Sequence, residues 1–437
     1  MNAPVSTTTL AARGPALSDA QASCPRRLGW MTGAPVPPAR QIRFADGSAY
    51  RFPQLRWSFC HLPELVPTAV VARAAGRPAT LPVALRDDID GLRFTPLGGA
   101  PPMRWDQALA ANYTDGIAVL HRGRLVHERC FGAFTPDGSH SPQGPAGRHI
   151  AMSVTKSVLG LLAMALVADG RLDPQAPVAE QLPELAGTGL ANASVEQLLD
   201  MRTALHFSED YADPHAGIWA HAAAGGLVPR PATYQGPEGY RAFLGTLRAS
   251  GAHGEGFAYR TVNADALGWL LERASGQPLA ELLSRRLWQP LGAEQDAALL
   301  VDSQGTAFAG GGLVCGLRDL ARLGEMLRLQ GQARGRQLLP TAAVQALRCG
   351  GDRALMAASG ESPQPGWSYR AMWWLTHNRH GAYMARGVHG QLLYINPVAE
   401  LVIARFASHP AAANAVNDAT SLPAWQALAD HLLREPG

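Results

Sequence analysis

A serine, a lysine and a tyrosine set the chemistry this chain can carry. Ser153-Val-Thr-Lys156 places a hydroxyl and an amine three residues apart at the head of a nearly continuous apolar run. If Ser153 opens a helix, positions i and i+3 share a face one turn apart, and the amine comes within reach of the hydroxyl. Burial disfavours a charged amine, and the helix N-terminus adds a positive field. Both push Lys156 towards the neutral form that can accept the serine proton. Lysine usage sharpens the point. Of the 38 lysines and arginines, Lys156 is the one lysine and the other 37 are arginine. Arginine stays protonated at any working pH, whereas a lysine can lose its proton when desolvated. An arginine-biased composition, or a helix cap followed by a surface lysine, is the bland reading of the same residues.

Two further sites follow along the chain. Phe257-Ala-Tyr259-Arg-Thr261 places a tyrosine just before a helical stretch, where its phenol could pass a proton to a leaving group. Gly387-Val388-His389-Gly390-Gln391 lies between two expected strands. Glycines there let backbone approach a ligand, and a strand-edge N–H could join the N–H of Ser153 in an oxyanion hole. His389 has the residue type of a triad base, but the chain contains no G-x-S-x-G elbow, and a strand-end histidine is more often structural.

The elements that must position these residues are legible in outline. Residues 116–134 read as two strands around the turn Arg122-Gly123, and 135–148 as a Gly/Pro/Ser loop. A buried helix runs from about Ser153 and stops at Gly170. Helices are expected over 263–274, ending before Gly276, and over 279–287. A Gly-rich link (AGGGLVCG) leads to a helix over 317–329. Strands near 383–388, 391–396 and 401–407 precede a final helix over 423–434. Residues 68–104 read as mostly irregular. The strands come from two distant parts of the chain and flank a mostly helical middle, which predicts an α/β (α+β) fold: an antiparallel sheet flanked by helices with an inserted helical lobe. The expected division is an irregular, loosely held lead segment at 1–50, an α/β lobe from 51–152 and 305–437, and a mostly helical lobe at 153–304.

Composition narrows the function classes. The chain has 437 residues, 47% hydrophobic and 17% charged, with a net charge of +3. That is a core-rich globular chain with no electrostatic footprint for nucleic acid. The longest strongly apolar stretch, Val158 to Val167, is about half the ~20 residues a spanning helix needs, so no membrane partner is expected. No apolar h-region follows a basic N-terminus, and Cys24, Cys60, Cys130, Cys315 and Cys349 are scattered without C-x-x-C spacing. The expectation is a cytoplasmic protein with reduced thiols and neither a metal site nor a cofactor.

In its motif order the sequence resembles the serine β-lactamase and penicillin-recognising superfamily, nearest the class C branch and its esterase relatives. It resembles the 6-aminohexanoate-dimer (nylon oligomer) hydrolases more closely still. The stretches that carry this likeness are RWSFCHLPELVPTA (56–69), DGRLDPQAPVAEQLPELAG (169–187), EDYADP (209–214), YRTVNADALGWLLERASG (259–276), FAGGGLVCGLRDLARLGEML (308–327) and WWLTHNRHGAYMARGVHGQLLYINP (373–397). The resemblance implies Ser153 as nucleophile, Lys156 as base or base partner, Tyr259 as proton donor, and the N–H groups of Ser153 and Val388 as the oxyanion hole. It implies Tyr211 on the substrate amide and over the cleft, Trp374 as a wall of the pocket, and a homodimer as the assembly.

The chain departs from the family pattern at several positions. Tyr259-Arg260-Thr261 replaces Tyr-x-Asn. Val388-His389-Gly390 stands for Lys-Thr-Gly, which would remove the usual cationic partner of a β-lactam carboxylate. With His389, Ala222 and Gly310 are expected at the substrate, where relatives can carry an Asp facing the substrate amine and an Asn respectively. The expected activity is a serine hydrolase working through an acyl-enzyme on linear amides such as 6-aminohexanoate oligomers, with carboxylesterase activity. The alternatives are a carboxylesterase with little amide activity, or an acyl-binding sensor that does not turn over.

Overall fold

The computed structural model describes residues 19–134, 147–230 and 232–434. Most of the loop expected at 135–148 therefore lies outside the described residues, as does the start of the lead segment. Eleven strands build the two main sheets: Thr68–Val71 (β1), Thr114–His121 (β2), Arg124–Cys130 (β3), His149–Ile150 (β4), Ala297–Leu300 (β5), Leu313–Cys315 (β6), Ser368–Arg370 (β7), Trp373–Leu375 (β8), Tyr383–Gly387 (β9), Gln391–Asn396 (β10) and Leu401–Ala407 (β11). Six helices frame the site: Val154–Ala168 (α1), Gly217–Ala224 (α2), Tyr240–Leu244 (α3), Thr261–Ser275 (α4), Leu317–Arg328 (α5) and Ala415–Leu433 (α6).

The large sheet runs β7-β8-β9-β10-β11-β2-β3, antiparallel throughout, so segments nearly 300 residues apart in sequence pair at its centre. Arg122 and Gly123 both take positive φ (51° and 74°), the pair of left-handed residues that closes a tight hairpin between β2 and β3. The central strands β10 and β11 are buried along their whole length because both faces are covered. Helix α5 lies on one face, with Gly324 against Val402 and Leu393. On the other face, Arg405 reaches Ser421 (2.8 Å) and Arg386 reaches Asp418 of α6.

Helix α1 is buried on nearly every side, as its continuous apolar run requires. It docks on the segment before β8: Ser157 Oγ donates to the Met372 carbonyl (2.5 Å), and Trp373 Nε1 donates to the Ser157 carbonyl (3.1 Å). A Cβ on Gly160 would sit 2.2 Å from the Ala371 carbonyl oxygen, so glycine permits this approach. Helix α4 begins at Thr261, two residues before its expected start, and ends at Gly276 in the left-handed conformation (φ 67°).

The structure corrects several expectations. The Gly-rich link contains β6, the third strand of a four-stranded sheet ordered β1-β5-β6-β4. Its strands are two to four residues long, too short to show alternation. The stretch read as irregular likewise supplies β1. Helix α6 starts at Ala415 and carries Pro423 inside it. Its first turns look like loop because Asn417, Asp418 and Ser421 are polar, yet all three are buried against the sheet. The described part of the lead segment is packed rather than loose. Ile42 and Ala49 are buried with Trp57, and Arg56 donates to Ser23 Oγ (2.9 Å) while pairing with Asp115 (3.2 Å). All five cysteines are free.

Candidate active site

The turn into α1 presents the serine. Met152 has φ 48°, a left-handed conformation that a side-chain-bearing residue seldom adopts, and Ser153 follows as the N-cap residue. Lys156, one turn on, is buried at 1% exposure, and its Nζ lies 2.9 Å from Ser153 Oγ and 2.6 Å from the Gly310 carbonyl oxygen. Burial pushes the Lys156 pKa below the ordinary lysine value, against the charges of Glu209 and Asp265, which favour the ammonium. A neutral amine has two hydrogens and one lone pair. With Gly310 accepting one hydrogen, the lone pair is free to accept from the Ser153 hydroxyl.

Tyr259 closes the group from the loop before α4. Its side chain lines the cleft beside Ser153, and its ring centroid is 5.1 Å from Lys156 Nζ. Burial, reinforced by the Glu209 charge, holds the phenol pKa above its usual value, so it stays protonated at neutral pH. The ring stacks on Trp374 (5.6 Å, 24°), which fixes its orientation. The Tyr259 N–H donates to Glu361 (2.9 Å) and the Thr261 N–H donates to Glu209, so two carboxylates clamp this turn.

These residues open on a cleft of about 940 Å³ lined by Ser153, Tyr211, Tyr259, Trp374 and Val388, among others. Tyr211 is exposed at the rim, edge-on to Trp219 (5.9 Å, 88°). The backbone N–H of Ser153 donates to no acceptor among the described residues, which leaves it free for a substrate oxygen.

Three expected substrate contacts do not line the cleft. His389 Nδ1 bonds to the His409 carbonyl (2.7 Å) and its ring packs edge-on against Phe59. Burial lowers its pKa to about 4, so it is a neutral structural histidine. Ala222 is buried within α2 at 8% exposure. Gly310 bonds Lys156 from beneath, and a Cβ there would meet Thr261 Cγ2 at 2.2 Å, leaving no room for an asparagine.

Six charged residues of the cleft are not among the expected site residues: Glu209, Asp210, Arg260, Glu361, Arg386 and Asp418. Glu209 and Asp210, just before Tyr211 in EDYADP, and Arg260, just after Tyr259, carry a local signal by their place beside expected site residues. Arg386 is two residues from Val388 on β9, and its guanidinium lies over the Trp374 ring (5.7 Å) while Asp418 takes Nη2 (2.6 Å). The cleft therefore does hold a cation, although the expected Lys-Thr-Gly position lacks one.

The beta-lactamase family model matches residues 107–422. The chain is 38% identical over 364 residues to the 6-aminohexanoate-dimer hydrolase of Paenarthrobacter ureafaciens, covering 82% of this chain and 86% of that one. It is 31% identical over 198 residues to esterase EstB of Burkholderia gladioli, covering 43% of this chain and 48% of that one. A solved structure from Bacillus anthracis, assigned as a 6-aminohexanoate-dimer hydrolase, superposes with a TM-score of 0.81 at 27% identity, over 92% of this chain and all of that one. The chain belongs to the beta-lactamase family, as a serine hydrolase that cleaves amide or ester bonds.

Proposed function

We propose that Ser153 is the nucleophile, Lys156 its base and Tyr259 the acid that protonates the leaving group, and that linear amides of the 6-aminohexanoate type are the substrates. The contact between the buried Lys156 Nζ and Ser153 Oγ, 2.9 Å, carries this reading. Ser153 gives its proton to the Lys156 lone pair as its oxygen attacks the carbonyl carbon. The carbonyl electrons move onto oxygen, where the N–H groups of Ser153 and Val388 receive them. Each such donor contributes roughly 3–4 kcal/mol to the transition state. Tyr259 gives its proton to the departing amine and regains one from Lys156, and water then hydrolyses the acyl-enzyme by the reverse path.

Two features support the amide substrate. The relative covering most of the chain is a 6-aminohexanoate-dimer hydrolase by name. Glu209 and Glu361 also line the cleft, and either carboxylate can pair with a substrate ammonium, a role Ala222 cannot fill from inside α2. The similarity to esterase EstB favours a second reading, an esterase with little amide activity.

Assaying the 6-aminohexanoate dimer and a p-nitrophenyl ester side by side decides between them. We expect both to be hydrolysed and Ser153→Ala to abolish both. Glu209→Gln is expected to raise KM for the ammonium-bearing dimer about tenfold, and less for the neutral ester. Ester turnover without dimer turnover would support the esterase. A persistent mass adduct on Ser153 without turnover would support an acyl-binding sensor instead.

A further inference from the structure

Behind the Ser153–Lys156 pair lies a buried relay that the mechanism above does not use. The Gly310 carbonyl that accepts from Lys156 belongs to a run of three glycines, 310–312, a stretch of backbone with little intrinsic preference for one conformation. Its position is fixed from the other side: the Gly310 N–H donates to Asp265 Oδ1 (3.0 Å). Asp265 Oδ2 in turn contacts His221 Nε2 (2.7 Å). Asp265 on α4 is 5% exposed and His221 on α2 is 1% exposed. Phe207, Tyr240, Phe243 and Phe308 surround the imidazole, and its Nδ1 has no hydrogen-bond partner among the described residues.

A buried carboxylate and imidazole with one ring nitrogen unmatched cost stability relative to an apolar pair of the same shape. Their connectivity offers a reason for keeping them. Nε2 faces Asp265 Oδ2 and Nδ1 has no partner among the described residues, so the pair ties α2 to α4 directly behind Gly310. The Asp265 charge, separated from Lys156 by Gly310 alone, favours the lysine ammonium.

We propose that His221 and Asp265 are positioning residues for catalysis: they hold Gly310 so that its carbonyl takes one Lys156 hydrogen and turns the amine lone pair onto Ser153, and the charge of Asp265 stabilises the lysine ammonium formed as Ser153 attacks. This rests on the assignment of Lys156 as base. The proton balance is simple: the Ser153 O–H bond breaks, a third N–H bond forms on Lys156, and the Asp265 charge faces the cation that results. The other ionisable groups facing Lys156 are Glu209, from the loop before Tyr211, and Tyr259. The group facing His221 is Tyr240 of α3, with Asp302 behind it accepting from the Tyr240 N–H (2.8 Å).

The test is steady-state kinetics of the full chain across pH, on the aminohexanoate dimer and a p-nitrophenyl ester, for the wild type, Asp265→Asn, His221→Gln and His221→Phe. Asp265→Asn keeps an oxygen for the Gly310 N–H but removes the charge. It is expected to lower kcat on the order of 100-fold, the cost of a misplaced catalytic group, with KM little changed. The acid limb of kcat/KM should move to lower pH, because the anion that favoured protonated Lys156 is gone. His221→Phe should lower kcat, and His221→Gln, which keeps an N–H donor, should recover most of it. Wild-type kcat and an unmoved acid limb in Asp265→Asn and His221→Phe would overturn the proposal. So would losses that track the folded fraction in a thermal melt while the limb stays put. If Asp265→Asn does not fold, rescue by Gln over Phe at position 221 decides alone. Lys156→Met, run in parallel, separates the two claims. If it is inactive while the relay variants behave as wild type, only this inference falls; if it stays active, the catalytic reading itself falls.

Discussion

Lys156→Met is expected to lower amide and ester turnover on the order of 10⁴-fold while the protein still folds. Methionine matches the lysine stem in length and shape and fills the same buried space, so packing around α1 is kept. The variant loses the bond to the Gly310 carbonyl, about 1 kcal/mol, and no longer has to bury an amine. The two terms oppose each other, and the melting temperature should stay within a few degrees of wild type. What disappears is the proton acceptor 2.9 Å from Ser153 Oγ. The Tyr259 phenol beside that hydroxyl is held protonated by burial, and His389, His221 and His149 are each engaged elsewhere. Stopped assays on both substrates, with a thermal melt, check the result. Turnover within tenfold of wild type would mean that another group accepts the proton.

Tyr259→Phe should separate amides from esters. An amine cannot leave without a proton, and the Tyr259 phenol, held protonated by burial, is the donor beside Ser153 in the cleft. A nitrophenolate leaves as the anion and needs no such donor. The expected loss is roughly 10²–10³-fold on the aminohexanoate dimer and less than about tenfold on a p-nitrophenyl ester. The phenyl ring retains the stack on Trp374, so the wall of the cleft is unchanged. Equal losses on both substrates would move Tyr259 from the leaving group to activation of Ser153.

The heart of the site was legible because it depends on local spacing. The Ser153–Lys156 pair needs only one helical turn, and the apolar run that buries α1 is written in the same residues. The hairpin at Arg122-Gly123 and the strands 383–407 were legible for a similar reason, since turn chemistry and strand runs are local signals. What the residues alone did not reveal comes from distant parts of the chain. Glu209 and Glu361 read as ordinary surface acids until folding brings both onto the backbone of 259–261. His221 and Asp265 are 44 residues apart and acquire meaning only through Gly310. The four-stranded sheet leaves no sequence signal because each strand is too short to show a period. Ala222 and Gly310, expected at the substrate from the resemblance, lie outside the cleft lining. Gly310 is still tied to the chemistry, through its carbonyl rather than a side chain.

Because Lys156 is the only lysine in the chain, its protonation can be read without assignment. Protein carrying [ε-¹³C]lysine gives one side-chain signal, and its chemical shift followed against pH is the titration curve of the base. The expected midpoint lies below the ordinary lysine range because Lys156 is buried, and the acid limb of kcat/KM should follow the same curve. A resonance that titrates in the ordinary range of an exposed lysine, while the enzyme is fully active near neutral pH, would contradict it.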